Sequence, residues 1–169
     1  MTTFLELVKS RYSVRRFKMQ PIEQETLNRV LEAARIAPTA HNNQPQRIKV
    51  ISGDDLRKVD MCTQCRFGAP TVLMVCYDKN VCWKREFDDA PSGEVDASIV
   101  TTHMMLTAHD EGLGTCWVMY FNTAKAIELF NLPDNIVPIA LLPIGYPSDD
   151  VRPSSAHSQR FALEQLLFQ

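Results

Sequence analysis

The chain has 169 residues, 45% of them hydrophobic and 22% charged, with a formal net charge of -2 at pH 7. That length supports one domain with a sizeable core, and so balanced a charge argues against a nucleic-acid partner or an acidic membrane surface. No uncharged run approaches the roughly 20 apolar residues of a membrane span, and five cysteines, an odd number, fit reducing cytosol better than a secreted disulfide framework.

Thr3 and Glu6 have the spacing of a capping box, so a first helix is expected there, with Phe4, Leu7 and Val8 on its apolar face. Glu6 and Lys9 inside that apolar run argue against a signal peptide. The helix leads into Arg11-Tyr12-Ser13-Val14-Arg15-Arg16-Phe17. Guanidinium forks match phosphate oxygens and a hydroxyl adds a neutral donor, so this cluster can hold an anion. A solvated basic loop has the same composition. Pro21-Ile22-Glu23 opens a second helix through Ala37, with Leu27, Val30, Leu31 and Ala34 on one face. It ends in Pro38-Thr39-Ala40-His41-Asn42-Asn43-Gln44-Pro45, an irregular loop rich in neutral donors and acceptors. Such groups suit the edge of a planar heterocycle, or a polar surface turn.

A strand from Arg47 to Ser52 and a short helix from Asp54 to Asp60 follow. Cys62 and Cys65 form a Cys-x-x-Cys pair without the second pair a structural zinc site needs and outside the strand-then-helix setting of a redox dithiol, so no metal is assigned. Thr71 to Tyr77 is a continuous apolar run, the pattern of a buried central strand. Val81 to Ser92 is a charged connection bearing Trp83, read as a lid or an interface loop. From Ala97 to Ala108 the chain contains no Asp, Glu, Lys or Arg, and its apolar residues form two helical stripes, Ala97/Val100/Met104/Ala108 and Ile99/Leu106. A helix so free of charge needs walls on all sides, from a large core or a second copy, and an obligate dimer is expected. Ser92 is the expected N-cap, Glu94 and Asp96 sit in the first turn, and Gly112-Leu113-Gly114 supplies the stop.

His103 and His109 are six residues apart and cannot share a metal from one helical face, so both read as hydrogen-bonded histidines. Thr115 to Phe121 reads as a strand, Asn122 opens a helix through Phe130, and Ile136 to Ile144 is a further strand. Pro138 and Pro143 point that strand's prolines to an end or a sheet edge. After a polar stretch from Ser148 to Ser158, the tail carries Phe161, Leu163, Leu166, Leu167 and Phe168, and must dock on its own domain or on a partner subunit. No glycine-rich nucleotide fingerprint, Walker loop, nucleophile elbow or tuned carboxylate pair is present, so no catalytic side chain is assigned. The basic and amide clusters look like equipment for holding a ligand.

Four motifs, Arg11 to Phe17, Ala37 to Pro45, Gly112 to Trp117 and Gly145-Tyr146-Pro147, stand in the order found in the nitroreductase family of FMN-dependent oxidoreductases, with an apolar strand after Ala69-Pro70. The chain resembles that family along essentially its whole length. The resemblance implies an α+β fold for residues 1–169 as a single FMN-binding domain: a mixed central sheet flanked by helices, in an intertwined homodimer whose C-terminal segment extends onto the partner. It implies that Arg11 and Ser13, with Tyr12 between them, meet the FMN phosphate, that Arg160 completes that site, and that Arg15 meets the pyrimidine edge of the flavin. Pro38, Thr39, Ala40, Asn42 and Gln44 would reach the cofactor from the other subunit or line its ring, and Trp117, Val118, Met119 and Tyr120 would lie along the ring. The implied reaction passes hydride from NAD(P)H through flavin N5 to an electrophilic acceptor such as a nitroaromatic or quinone, in a cytoplasmic enzyme. A flavin-binding redox module, or a specialised member of the reductive dehalogenase type, is the alternative. Three departures from the family pattern bear on substrate rather than cofactor: Gln46 in place of an aromatic residue, Met119-Tyr120 in place of smaller or acidic ones, which would narrow the substrate space, and a short connection from Asp78 to Ser92.

Overall fold

The computed structural model describes residues 3–168. At its start Thr3 and Glu6 close the expected capping box, and helix α1 runs Phe4–Ser10. Helix α2 spans Gln24–Ile36, burying Thr26, Val30, Ala33 and Ala34. Then come strand β1 (Gln46–Ser52), helix α3 (Leu56–Cys62), strand β2 (Thr71–Asp78), helix α4 (Gly93–Asp110), the two-residue strand β3 (Gly114–Thr115), helix α5 (Thr123–Phe130) and strand β4 (Ile136–Gly145). No helix is long and apolar enough to cross a membrane among the described residues.

The sheet order is β1-β2-β4-β3, and each of these pairings is antiparallel. Among the described residues, the parallel component of the expected mixed sheet is confined to a single bridge between Ser13 and Thr115. β2 is buried at all eight positions, because helices cover both faces of the sheet. Leu73 and Val75 face α2 and α4 together with Leu142 and Ile144. Val72, Met74 and Cys76 face the other way, against Val59 and Cys62 of α3 and Ala126 and Phe130 of α5. The alternation is that of a pleated strand with two covered faces.

The prolines of β4 correct the sequence reading: β4 lies between β2 and β3, inside the sheet. Pro138 stands opposite Cys76 at a register shift, so a bulge absorbs it. Pro143 explains a second correction, the brevity of β3. Gly114 pairs with Gly145 and Thr115 with Ile144, and Val118 and Leu141 exchange both backbone hydrogen bonds at 2.9 Å in that same register. Between them the Cys116 N–H donates to the Pro143 carbonyl at 3.2 Å, and Pro143 has no N–H to return. The strand expected from Thr115 to Phe121 thus keeps its register to Val118 with one rung missing, and the chain leaves the sheet at Met119.

On α4 the stripe Ala97/Val100/Met104/Ala108 is fully buried, as expected, and packs on the sheet and α2. The opposite side stays open: Val95 is 62% exposed, and Ile99 and Leu106 are only half-buried. Ser92 is the N-cap residue, as expected, and its carbonyl accepts from the Asp96 N–H at 2.8 Å, but its side chain makes no capping hydrogen bond. Its backbone is itself helical and its hydroxyl instead donates to Asp96 Oδ2 at 2.7 Å, because a carboxylate buried that deeply needs donors. The apolar tail does not dock on its own domain: Phe161 is 78% and Phe168 98% exposed.

Gly114 is the tight point of the assembly, where a Cβ would lie 2.6 Å from Val14 Cγ2. Gly114→Ala is expected to lower the unfolding free energy by about 1–3 kcal/mol, the range of core overpacking, as read from urea denaturation midpoints.

Candidate functional site

The arginine segment is laid along the end of the sheet by its own backbone. The Val14 N–H donates to the Thr115 carbonyl at 2.9 Å, the Lys18 N–H to Tyr146 at 2.8 Å, and the Ser148 N–H to Arg16 at 3.1 Å. Val14 and Phe17 are buried and anchor the segment. Arg11 and Ser13 are half-buried and Arg15 is exposed. The stretch from Ser154 to Arg160 folds across them, tied by the His157 Nε2–H donating to the Lys9 carbonyl at 3.0 Å and by an edge contact between the His157 and Tyr12 rings at 6.3 Å. Arg11, Tyr12, Ser13, Arg15, Ser154, Ala156, His157 and Arg160 together line a cavity of about 250 Å³.

None of Arg11, Arg15 and Arg160 has a carboxylate partner among the described residues, although other cations of the chain do, as in Arg16–Asp150 and Arg29–Glu111. Burial, followed by the like charge of Arg160, pushes the Arg11 pKa down. Guanidinium groups gathered without a counter-ion repel one another, and an anion placed among them relieves that repulsion while accepting paired hydrogen bonds. Two neutral groups adjoin them. His109 lies 2.8 Å through Nε2 from the Ser10 hydroxyl, and burial, then Arg11, lowers its pKa against the pull of Asp110. Burial raises the pKa of the Cys116 thiol, with Arg15, the Ser13 hydroxyl and Arg11 acting in the opposite sense.

The loop from Pro38 to Gln44 stands elsewhere and does not line this cavity. His41, Asn42 and Gln44 take left-handed backbone angles, with φ of 52°, 54° and 51°, each costing about 1 kcal/mol or more without glycine. The loop is over-determined to match. The Ala40 N–H donates to Asp96 Oδ1 at 2.9 Å, the Gln44 N–H to Thr39 Oγ1 at 3.1 Å, and Asn43 Nδ2 to the Val81 carbonyl at 3.0 Å. The His41 ring stacks on Trp83 at 5.3 Å and 11°, which joins the loop to the Val81–Ser92 connection. Pro38, Asn42 and Gln44 are exposed, and Thr39 and Ala40 half-buried. Asp96, 2% exposed, holds this loop from α4 and was read in the sequence only as a dipole partner. Its signal was its position, four residues before Val100 on the buried stripe.

Of the Trp117–Tyr120 segment, Val118 is buried, while Trp117 is half-buried with its Nε1 unpartnered. Met119 and Tyr120 are exposed, Tyr120 at 80%, and line rather than fill a groove of about 550 Å³ with residues 60–64, Phe121 and Asn122. The groove is held shut at its base by the Thr63 hydroxyl donating to the Tyr120 carbonyl and the Asn122 N–H donating to the Cys62 carbonyl at 2.9 Å. Cys62, at the end of α3, donates its thiol to the Lys58 carbonyl, and burial raises its pKa. Gln46, in the place of an aromatic residue, donates through Nε2 to the Ala34 carbonyl at 3.2 Å, and its Oε1 is buried without a partner among the described residues.

An α+β fold whose edge gathers arginines around a cavity without carboxylates is equipped to receive an anionic ligand. The nitroreductase family model matches residues 8–65 and 61–146. A nitroreductase family protein of Clostridium difficile 630, known from its crystal structure, is 41% identical and superposes with a TM-score of 0.92, over 98% of this chain and 97% of that one. A protein of Desulfovibrio desulfuricans crystallised in complex with FMN is 28% identical with a TM-score of 0.80, over 98% and 95% of the two chains. The FMN reductase [NAD(P)H] of Bacillus subtilis strain 168 is 29% identical over 168 residues, 85% of this chain and 67% of that protein. The chain belongs to the nitroreductase family.

Because the folded pKa of His109 is lowered, the unfolded chain takes up that proton first as pH falls. The stability linked to His109 is therefore complete above the ordinary imidazole value of about 6.5 and declines below it. The wild-type urea midpoint is expected to fall between about pH 7.5 and 5.5 by more than that of His109→Gln, which keeps a polar partner for Ser10 but does not titrate.

Proposed function

We propose that this chain is an FMN-dependent NAD(P)H oxidoreductase and that the arginine cavity holds the phosphate of the flavin. The observation that carries this reading is the convergence of Arg11, Arg15 and Arg160 with Ser13 on one cavity that no carboxylate neutralises among the described residues. The donor set fits a phosphate monoester, whose three terminal oxygens can each take hydrogen bonds from guanidinium and hydroxyl groups. About 250 Å³ accommodates the phosphate end of the cofactor and leaves its ring to the adjoining surface.

Bound FMN supplies two-electron chemistry, accepting hydride from NAD(P)H and delivering it to an electrophilic acceptor such as a nitroaromatic or quinone. Arg11, Ser13 and Arg160 bind its phosphate, with Tyr12 as wall. Arg15 would offer a cation to the pyrimidine edge, where it would favour negative charge. Trp117, Val118, Met119 and Tyr120 orient the ring, and Pro38, Thr39, Ala40, Asn42 and Gln44 approach from a second copy. No acid or base of the protein is required, and none is assigned.

Three observations support a homodimer. The outer side of α4 carries Val95, Ile99 and Thr102 around a shallow hollow of about 400 Å³. The tail from Phe161 to Phe168 is exposed. The amide loop, strained and fixed, stands away from the arginine cavity of its own chain. An isologous pairing through α4 covers the first, lets the tail cross over and brings the loop to the partner's cavity. All five cysteines are free, a state that a reducing compartment such as the cytoplasm maintains.

The purified protein is expected to be yellow, to release about one FMN per chain, the one-site stoichiometry this reading requires, and to bleach when NADH or NADPH is added without oxygen. Colourless protein that takes up no added FMN refutes the reading. Arg11→Ala is expected to weaken FMN binding about ten- to a hundredfold, the worth of one charge-assisted contact, by flavin-fluorescence titration. Ile99→Glu is expected to sediment as a monomer and to lose FMN; a monomer that keeps full FMN affinity would show that no second copy contributes to the site.

A further inference from the structure

We propose a second anion subsite, next to the cavity assigned to the flavin phosphate, that takes a phosphate group of the pyridine nucleotide; it rests on the flavin reading of that neighbouring cavity. A separate cavity of about 190 Å³ is lined by Ser13, Arg15, Arg16, Val151, Arg152 and Ser154. It shares Ser13, Arg15 and Ser154 with the first cavity, so a ligand in one is adjacent to a ligand in the other. Nothing in the flavin assignment uses Arg16 or Arg152.

The charge count favours an anion here as well. Of the lining arginines only Arg16 has a carboxylate partner among the described residues, Asp150 Oδ2 at 2.8 Å from its Nη1. The nearby Asp149 is taken by Lys18 at 2.6 Å. Arg152 is tethered to its own backbone: its Nη1 donates to the Asp149 and Val151 carbonyls, both at 2.8 Å. That tether orients the guanidinium while its Nε and Nη2 donors stay available. Arg16 is likewise held by one nitrogen, and side chains restrained in this way lose less freedom on binding.

The chemical class follows from the donors. A carboxylate offers two oxygens and is satisfied by one guanidinium fork, whereas the two guanidinium groups that the flavin reading leaves unused, Arg16 and Arg152, with the Ser154 hydroxyl, suit a tetrahedral, multiply charged phosphate. The proposed reaction brings such a group to this edge of the protein with every turnover, on the NAD(P)H that must lie against the flavin. The phosphate is either the 2′-phosphate found on NADPH alone or the pyrophosphate that NADH also carries.

NADP⁺ and NAD⁺ titrated into the oxidised wild-type protein and into Arg152→Ala, followed by ligand-observed NMR, with FMN per chain measured in each, decide the matter. Arg152 is exposed on a loop, so the variant is expected to fold and to keep its FMN. NADP⁺ affinity is expected to drop about tenfold, the effect of one charge-assisted contact, and Arg152→Lys to recover part of it. Unchanged NAD⁺ affinity identifies the 2′-phosphate as the group bound, and an equal drop for both nucleotides identifies the pyrophosphate. Unchanged affinity for both, or no binding of either by the wild type, overturns the proposal. Loss of FMN from Arg152→Ala also overturns it, since the cavity would then belong to the flavin. Wild-type protein without FMN refutes the neighbouring assignment, while the comparison of nucleotide affinities still decides this one.

Discussion

The joint between the arginine segment and the sheet is the constraint on which the ligand cavity depends. The Val14 N–H donates to the Thr115 carbonyl, and only a residue without a Cβ at 114 lets Val14 come close enough to do so. With Val14 and Phe17 turned into the core, the residues between and before them carry their guanidinium and hydroxyl groups to the cavity side. Three positive side chains at one place repel one another, and a flexible loop would spread them. Here the sheet edge fixes the backbone around Arg11 and Arg15, and the segment from Ser154 to Arg160 brings the third cation over them, tied through His157. The core's packing therefore maintains an electrostatically unfavourable arrangement that an anion completes.

The proposed pairing of two chains rests on surfaces that a single chain leaves open. One side of α4 is as buried as any helix in the protein, and the other offers Val95 and Ile99, with Glu94 beside them, to solvent. Apolar side chains of the tail stand free of their own core. The loop from Pro38 to Gln44 holds backbone strain at three positions, yet its amides do not line the arginine cavity of its own chain. These features share an explanation if the strain is stabilised by Asp96 and Trp83 in order to present a fixed set of amides to a neighbour's cavity. The rigidity of the loop then serves pre-organisation, since a loose loop would have to be ordered at the moment of binding.

Much of this was legible in the sequence where a local pattern has one physical outcome. The capping box at Thr3, the buried stripe of α4, the apolar run of β2 and the N-cap at Asn122 are each decided by residues within a turn or a strand of one another. The arginine cluster was legible as an anion holder only in type, because Arg160 joins Arg11 across most of the chain length and no local pattern records that contact. What misled were residues whose partner is remote. Pro143 sits inside the sheet because the strand beside it tolerates one missing rung, and Pro138 because a bulge on β4 absorbs it. Ser92 has the chemistry of a cap, but the buried Asp96 carboxylate competes for its hydroxyl. Asp96 itself looked like an ordinary first-turn acid; its hold on Ala40 is a tertiary hydrogen bond between elements 56 residues apart in sequence.

The neutral groups beside the arginines are as much a part of the site's electrostatics as the cations. A thiolate at Cys116 would cancel one positive charge, but burial raises that thiol's pKa more than the nearby guanidinium groups lower it. A protonated His109 would add a charge, but burial and the Arg11 cation both oppose it. Burial thus favours the uncharged form of both groups, and the cations of the cavity that stay charged throughout are its guanidinium groups. The imidazole of His157 shares that cavity with its Nε2 committed to the Lys9 carbonyl, and on the flavin reading a phosphate would meet guanidinium donors whose attraction weakens as salt rises.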